Sequence, residues 1–396
     1  MSSRSDGEGR LPTAIPWESP TVRVALLSTL LAPLGVPLVS PALPTIRDAL
    51  ALTDAQASLL VSAYFLTGIV LSPFIGLLAD RVGRRRVLVP SLFVFSVAGA
   101  AIALRPGYAV ILGIRVVQGT AAAALFITTV TLIADTVEGV QRNTVLGVNT
   151  AVLSAGAAIY PLVGGALATV SWNALFAVYL VGLPVAVFAH RVLPEPPVER
   201  ETRTLAYLRR SVSALSLREA SVYYGAAFLV ELLLFGAVLT TVPFLLAGTY
   251  RLSPVLIGGV VTLAEVASVV TSGLNGRFAK RISNHAIVAA GFAAVTVGLL
   301  GTWWAPTLAA VVAATTLLGA GWGTVLPSID AGVSGLVPTR FRAGAFSIRN
   351  STTFLGRALG PVLFTTLAVG TGYRPLLLAA AVVSLAFVLV VLLLSR

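Results

Sequence analysis

The chain of 396 residues is 57% hydrophobic and only 11% charged, with a formal net charge of +12. That composition excludes an ordinary soluble domain and makes the bilayer the expected solvent. With no cysteine, disulfides and thiolate metal sites are excluded as well. Apolar runs long enough to cross a hydrocarbon core of roughly 30 Å recur at 23–43, 56–78, 87–104, 108–134, 143–168, 172–193, 220–246, 254–275, 285–304, 307–330, 343–369 and 374–395. Lipid cannot satisfy free backbone N–H and C=O groups, and the runs lack the short alternating pattern of barrel strands, so each is expected to be a helix. The expected fold class is all-α integral membrane, with 12 transmembrane helices.

Residues 1–22 are polar and lack the apolar core and small-residue cleavage pattern of a secretory signal. They read as a tail, leaving the first span to act as its own insertion signal. The longest hydrophilic break, proline-rich and of mixed charge from Leu193 through Arg218, divides the chain near its middle. It reads as a linker over 194–218, with one short surface helix around Leu205 to Leu215, between halves at 23–193 and 219–396. Shifted against itself by 200 residues, the chain matches Gly76, Ala79, Arg81, Arg142, Gly156 and Pro161 to Gly276, Ala279, Arg281, Arg342, Gly356 and Pro361. Two pseudo-symmetric six-helix halves follow, an organisation that places a binding site between them near the midplane.

Placing the 27 Lys and Arg on this topology explains the net charge. Arg47, Arg105, Arg251 and Arg374 fall on one side, Arg115, Arg349 and Arg357 lie within spans, and all the others share the side of the tail and linker. The asymmetry orients both termini toward the cytoplasm of a cell (inner) membrane. No continuous soluble basic domain exists to track phosphates, so no nucleic acid is expected as a partner. His190 and His285 sit at span ends, and Trp172, Trp303 and Trp304 at the opposite ends, as interfacial residues do.

The junction of the second and third spans reads Gly76-Leu77-Leu78-Ala79-Asp80-Arg81-Val82-Gly83-Arg84-Arg85-Arg86. A topogenic loop explains the arginines but does not require Gly76, Asp80 and Gly83 at these spacings. Here the chain resembles the major facilitator superfamily, whose signature loop G-x-L-a-D-r-x-G-r-[KR] is matched nearly throughout residues 76 to 85. The resemblance implies that Asp80 meets the positive N-terminal end of span eleven. It also implies that Gly76, Asp80, Arg81, Gly83, Arg84 and Asp135 form a latch on the cytoplasmic gate of the outward-facing state. The second copy has Lys280 and Ser283 in place of Asp80 and Gly83, so the latch is expected to be asymmetric.

In span four, Arg115-Val116-Val117-Gln118-Gly119 matches the superfamily's R-x-x-q-G element. The resemblance implies a part for Arg115 in proton transfer or in binding the translocated group. A snorkelling or helix-bridging arginine is the structural alternative. In span five, Gly147, Gly156, Pro161, Gly164 and Gly165 fit G-x8-G-x3-G-P-x2-G-G at every position but one, a pattern that resembles the antiporter motif of twelve-span drug:proton exchangers. Small residues on one helix face allow close packing, and Pro161 permits a bend. Tyr160 stands where the pattern has glycine, so its phenol is expected either to widen the helix gap or to point into the cavity.

Ionisable groups at membrane depth are functional candidates by default. Glu231 and Glu265, with Arg115, are candidates for proton coupling, since a carboxylate withdrawn from water is poised to load and release a proton during a cycle. Either glutamate could instead be the fixed partner of Arg357 or Arg115. Gln118, Asn149, Tyr160, Phe235, Arg349 and Arg357 are the candidates for lining a substrate cavity. No phosphate loop, metal-ligand cluster or nucleophile–base pair appears, so no enzyme activity, cofactor, metal or nucleotide is expected, and an ion gradient or the cargo must supply the energy. The expectation is a monomeric, proton-coupled secondary transporter exporting small amphipathic compounds. A proton symporter or facilitator for a sugar, organic acid or other metabolite is the first alternative. A non-transporting sensor or lipid-handling protein is the second.

Overall fold

A computed structural model describes residues 15–194, 217–338 and 341–394, so most of the tail and of the linker, including the Leu205 to Leu215 helix, lies outside the described residues. Among the described residues, twelve helices are long and apolar enough to cross a membrane. They are α1 (Pro20–Ala49), α2 (Asp54–Val82), α3 (Arg84–Leu104), α4 (Tyr108–Thr136), α5 (Gly139–Val170), α6 (Ala174–Val192), α7 (Arg218–Tyr250), α8 (Pro254–Phe278), α9 (Asn284–Trp304), α10 (Leu308–Gly335), α11 (Gly344–Thr371) and α12 (Tyr373–Leu394). Every apolar run read from the sequence coincides with one of them. The end of the bundle at which α2 turns into α3 carries Arg81, Arg84, Arg85 and Arg86 and is called the basic end; the opposite one is the far end.

The 200-residue offset holds along the whole bundle: α3 and α9 begin and end at corresponding residues. Corresponding helices also meet through corresponding contacts. A Cβ on Gly119 of α4 would lie 1.7 Å from the carbonyl oxygen of Tyr64 in α2, and one on Gly319 of α10 would lie 1.9 Å from that of Ala264 in α8. Only a hydrogen fits at either crossing, which lets the backbones approach as lipid-exposed bundles require.

Local chemistry sets the helix ends. Thr53 and Gln56 form a reciprocal capping box at the start of α2. Gly83 joins α2 to α3 in a single residue with φ of 103°, a conformation that L side chains rarely adopt. Its counterpart Ser283 has an extended backbone instead, and its hydroxyl accepts the Ala286 N–H at 3.2 Å to cap α9. The two copies of the loop thus reach the same turn by different means.

Two helices are interrupted at corresponding depth. Helix α1 tightens to a 3-10 turn at Ala32–Gly35, where Pro33 supplies no N–H. Helix α7 widens to a π-helical stretch at Leu234–Thr241. Helix α7 is also the most enclosed, with 94% of its apolar window buried against 33% for α5 and α8. The halves meet along two seams. In one, Gly165 of α5 sits against Pro254 of α8 while Gly258 of α8 sits against Pro161 of α5. In the other, the Ser58 and Thr365 hydroxyls of α2 and α11 pair at 2.8 Å, and Gly68 lies under the Phe354 ring.

Candidate functional site

The centre of the bundle holds an ion pair contributed by the second half. Glu231 of α7 accepts two bonds from Arg357 of α11, Nε to Oε2 at 3.0 Å and Nη2 to Oε1 at 2.8 Å. The fork geometry matches the carboxylate in the way that makes Arg–carboxylate pairs strong. It is supported by backbone: Gly356, next to the arginine, lies against the carbonyl of Phe228 and the Cβ of Glu231, so α11 can approach α7 closely enough for the pair to form. Three phenyl rings surround the guanidinium, with centroids 5.6 Å (Phe65), 5.2 Å (Phe235) and 5.8 Å (Phe354) from its carbon. Phe235 belongs to the π-helical stretch of α7, and Phe65 comes from α2 in the other half. The Glu231 side chain is 1% exposed and that of Arg357 is 30% exposed.

Glu265 of α8 lies within electrostatic reach of both members of this pair. It is 9% exposed, and no hydrogen bond or ion pair to it occurs among the described residues. The sequence reading treats the two glutamates alike; the structure separates them into one held by an arginine and one unpartnered.

Arg115 is fully buried in a different cluster. Its Nε donates to the Leu60 carbonyl at 2.8 Å, Nη1 to Gln118 Oε1 at 2.8 Å and Nη2 to the Gly35 carbonyl at 2.6 Å, and its guanidinium lies 4.5 Å from the Tyr64 ring centroid. Gln118 in turn reaches the Phe95 carbonyl at 3.4 Å. The Tyr179 hydroxyl donates to Leu34 at 2.5 Å, and Tyr160 to Leu30 at 2.9 Å. Three side chains from α4, α6 and α5 therefore take up carbonyls of Leu30, Leu34 and Gly35 around the break in α1, groups that lipid would leave unsatisfied. Tyr160 is not among the residues that line the cavity at the basic end; its hydroxyl bridges to α1, and its ring lies against Gly156. Asn149 also faces α1, accepting from the Thr29 hydroxyl at 2.6 Å. Gln118, Asn149 and Tyr160 thus belong to the packing of the first half.

At the basic end a cavity of about 700 Å³ separates α2, α4 and α5 from α10 and α11. Asp80 and Asp135 line one wall, and Asp330 and Arg349 the other. Arg84 bridges Asp80 (2.6 Å) and Asp135 (2.9 Å), joining α2, α3 and α4 of the first half. Across the cavity Arg349 pairs with Asp330 at 3.0 Å. Eight residues separate Arg349 from Arg357, so the central pair sits about 12 Å deeper along α11. Gly76 lines the cavity, and neither Gly76 nor Gly147 has an atom within 4 Å of the position its Cβ would take. Arg81 is exposed at the end of α2. By contrast, a Cβ on Gly164 would fall 1.8 Å from the Leu38 carbonyl oxygen of α1, and Pro161 and Gly165 form the seam with α8.

Asp330 is a cavity residue that sequence reasoning did not single out. It ends the tenth apolar run, where a carboxylate reads as the start of a loop. Helix α10 continues to Gly335, more than a turn further.

The architecture and these residues can be set beside known proteins. The chain is 27% identical to the bacillibactin exporter of Bacillus subtilis (strain 168) over 383 residues, 92% of this chain and 95% of that protein. It is 30% identical to the quinolone resistance protein NorA of Staphylococcus aureus (strain MRSA252) over 204 residues, about half of each chain (51% and 52%). Among solved structures, the nucleoside transporter NupG superposes with a TM-score of 0.80 at 12% identity, covering 96% of this chain and 100% of that one. The human organic anion transporter MFSD10 superposes with a TM-score of 0.71 at 20% identity, covering 95% and 100%. The sequence model of the Major Facilitator Superfamily matches residues 25–245 and 224–396. With twelve membrane helices in two related halves and a match along both of them, the chain belongs to the Major Facilitator Superfamily and is a multi-pass membrane transporter.

Proposed function

We propose that the protein exports small amphipathic compounds across the cytoplasmic membrane in exchange for protons, with both termini on the cytoplasmic side. The observation that carries the reading is Glu265: a buried carboxylate with no bonded partner among the described residues, beside an ion pair, is free to exchange a proton, whereas Glu231 is committed to Arg357. On this reading the cavity at the basic end faces the cytoplasm, and cargo enters from there. Cargo arriving near Arg357 and its phenyl rings displaces the Glu265 proton inward. The halves then rock so that the site faces outward, cargo leaves, and Glu265 reprotonates from outside. The bridge from Arg84 to Asp80 and Asp135 belongs to the gate that shuts the cytoplasmic end. A relative named as an exporter and another named as a quinolone resistance protein favour this direction.

Symport of a metabolite would use the same carboxylate, and Tyr160 is the observation that favours it, since the span-five pattern is incomplete at that position. Reconstitution in liposomes with an internal pH indicator separates the two. Export predicts proton movement opposite to a lipophilic cation or neutral drug, while protons moving with an organic acid or sugar would overturn it. Glu265→Gln is expected to leave passive cargo counterflow intact and to remove the response to an imposed pH gradient; a retained response would place the proton site elsewhere. Asp80→Asn is expected to insert normally but to transport at a small fraction of the wild-type rate, and unchanged export would sink the gate role.

A further inference from the structure

At the far end the halves are tied by four side chains, two from each. Arg47, in the last turn of α1, donates from Nη1 to Asp54 Oδ1 at 2.7 Å. Asp54 is the first residue of α2, where the helix N-terminus favours its negative charge. Its other oxygen, Oδ2, accepts the hydroxyl of Tyr373, the first residue of α12. The Tyr373 ring stacks on Phe244 of α7, with centroids 6.2 Å apart and planes within 2°. The Arg47 guanidinium lies over that same Phe244 ring, 5.5 Å from its centroid, which closes the circuit. Two of its links cross between the halves: the Tyr373–Asp54 hydrogen bond and the Arg47–Phe244 cation–π contact.

We propose that these four residues are a clasp whose two cross-half links hold the far end shut, so that they set the balance between the state seen here and one open on the far side. The inference assumes that the halves separate there, and is independent of which cargo or ion drives them. Both oxygens of Asp54 are engaged, one by each half, so separation forfeits a charge-assisted bond that neither half can replace from within itself. The 200-residue repeat supplies no second copy: Ala247, Pro254, Asn173 and Pro44 occupy the positions corresponding to Arg47, Asp54, Tyr373 and Phe244, and none of them offers a charge or an aromatic ring. The clasp is therefore a single device. It contrasts with the Arg84 bridge of the basic end, whose ion pairs to Asp80 and Asp135 stay inside one half.

The absence of cysteine makes the test direct. Leu104 and Trp304, corresponding residues at the far ends of α3 and α9, are 84% and 77% exposed. Spin labels on Leu104→Cys and Trp304→Cys in the full chain, reconstituted without cargo, report the far-end separation by electron–electron double resonance. Tyr373→Phe and Asp54→Ala should each raise the long-distance population about tenfold, the equivalent of one charge-assisted hydrogen bond. The double variant should add little to either, because both remove the same bond. Phe244→Leu should act in the same direction through the second link. Tyr108→Phe, which removes a bond to the Gln56 carbonyl at the same end but inside the first half, should leave the distribution unchanged. Unaltered distances in both Tyr373→Phe and Asp54→Ala would overturn the proposal. So would an equal shift in Tyr108→Phe, or full additivity in the double variant. If Tyr373→Phe inserts poorly, Asp54→Ala and Phe244→Leu decide the matter by the same distances.

Discussion

The two halves share a backbone plan and differ in where they put charge. Residues 31, 65 and 157 of the first half are Leu, Phe and Ala; 200 positions on stand Glu231, Glu265 and Arg357. The reverse holds for Arg115, whose counterpart is Thr315. In the first half the buried cation is bonded to carbonyls and an amide around the break in α1. In the second the half-buried cation is held by a carboxylate, ringed by aromatics and accompanied by a further carboxylate without a bonded partner among the described residues. The difference lies in the kind of partner: polar bonds tie α4, α5 and α6 to the broken helix in one half, while the other sets an arginine–carboxylate pair beside a carboxylate to which no bond occurs among the described residues.

Breaking the central pair is the most severe way to test that contrast. Glu231→Leu, which installs the residue of the first half, leaves Arg357 at membrane depth without its anion and should cost about 3 kcal/mol. Adding Arg357→Ala, again the first-half residue, should recover much of that stability while transport stays lost. Thermal unfolding in detergent and liposome transport measure the two separately; recovery of transport in the double variant would show that the pair is purely structural.

Gly119→Ala and Gly319→Ala sharpen the shared part of the plan. Each places a methyl within 2 Å of a backbone carbonyl oxygen, so each should destabilise by about 2 kcal/mol, and by similar amounts. A large difference in the unfolding temperatures of the two variants would mean that the halves do not share the crossing after all. The smallest expected effects concern the loops. Gly83→Ala forces an alanine to φ near 103° with an extended ψ, at about 1 to 3 kcal/mol, whereas Ser283→Ala loses one cap, at about 1 kcal/mol. Ser283→Gly should cost only a few tenths. Unfolding midpoints of the three variants rank them.

Much of this was legible from residues alone, for reasons that can be named. Small residues on one helix face point to close packing before any coordinates are known, and in the structure Gly164 and Gly165 lie against the carbonyls of Leu38 and Pro254. The loop at 76–86 stood out through its resemblance to the superfamily signature, and in the structure Gly83 takes a positive φ while Arg84 pairs with Asp80. Asp330, Asp54 and Tyr373 gave no such signal. Each sits beside or at the end of an apolar run, where a polar residue is unremarkable, and the bond between Tyr373 and Asp54 joins residues remote in the chain. For Tyr373 and Asp54 the separation is 319 residues.

The sequence by itself determined the number of spans, their helical nature and the pairing of the halves, because lipid imposes length, apolarity and internal hydrogen bonding on each segment independently of the rest. Only the tertiary structure decided which charged groups meet. Glu231 and Glu265 look equivalent along the chain. Which carboxylate is bound, which is free and which arginine is satisfied by carbonyls depends on how closely α7 approaches α11 and how α4, α5 and α6 fold over the break in α1. Those distances arise from packing between segments far apart in sequence, which no single segment encodes.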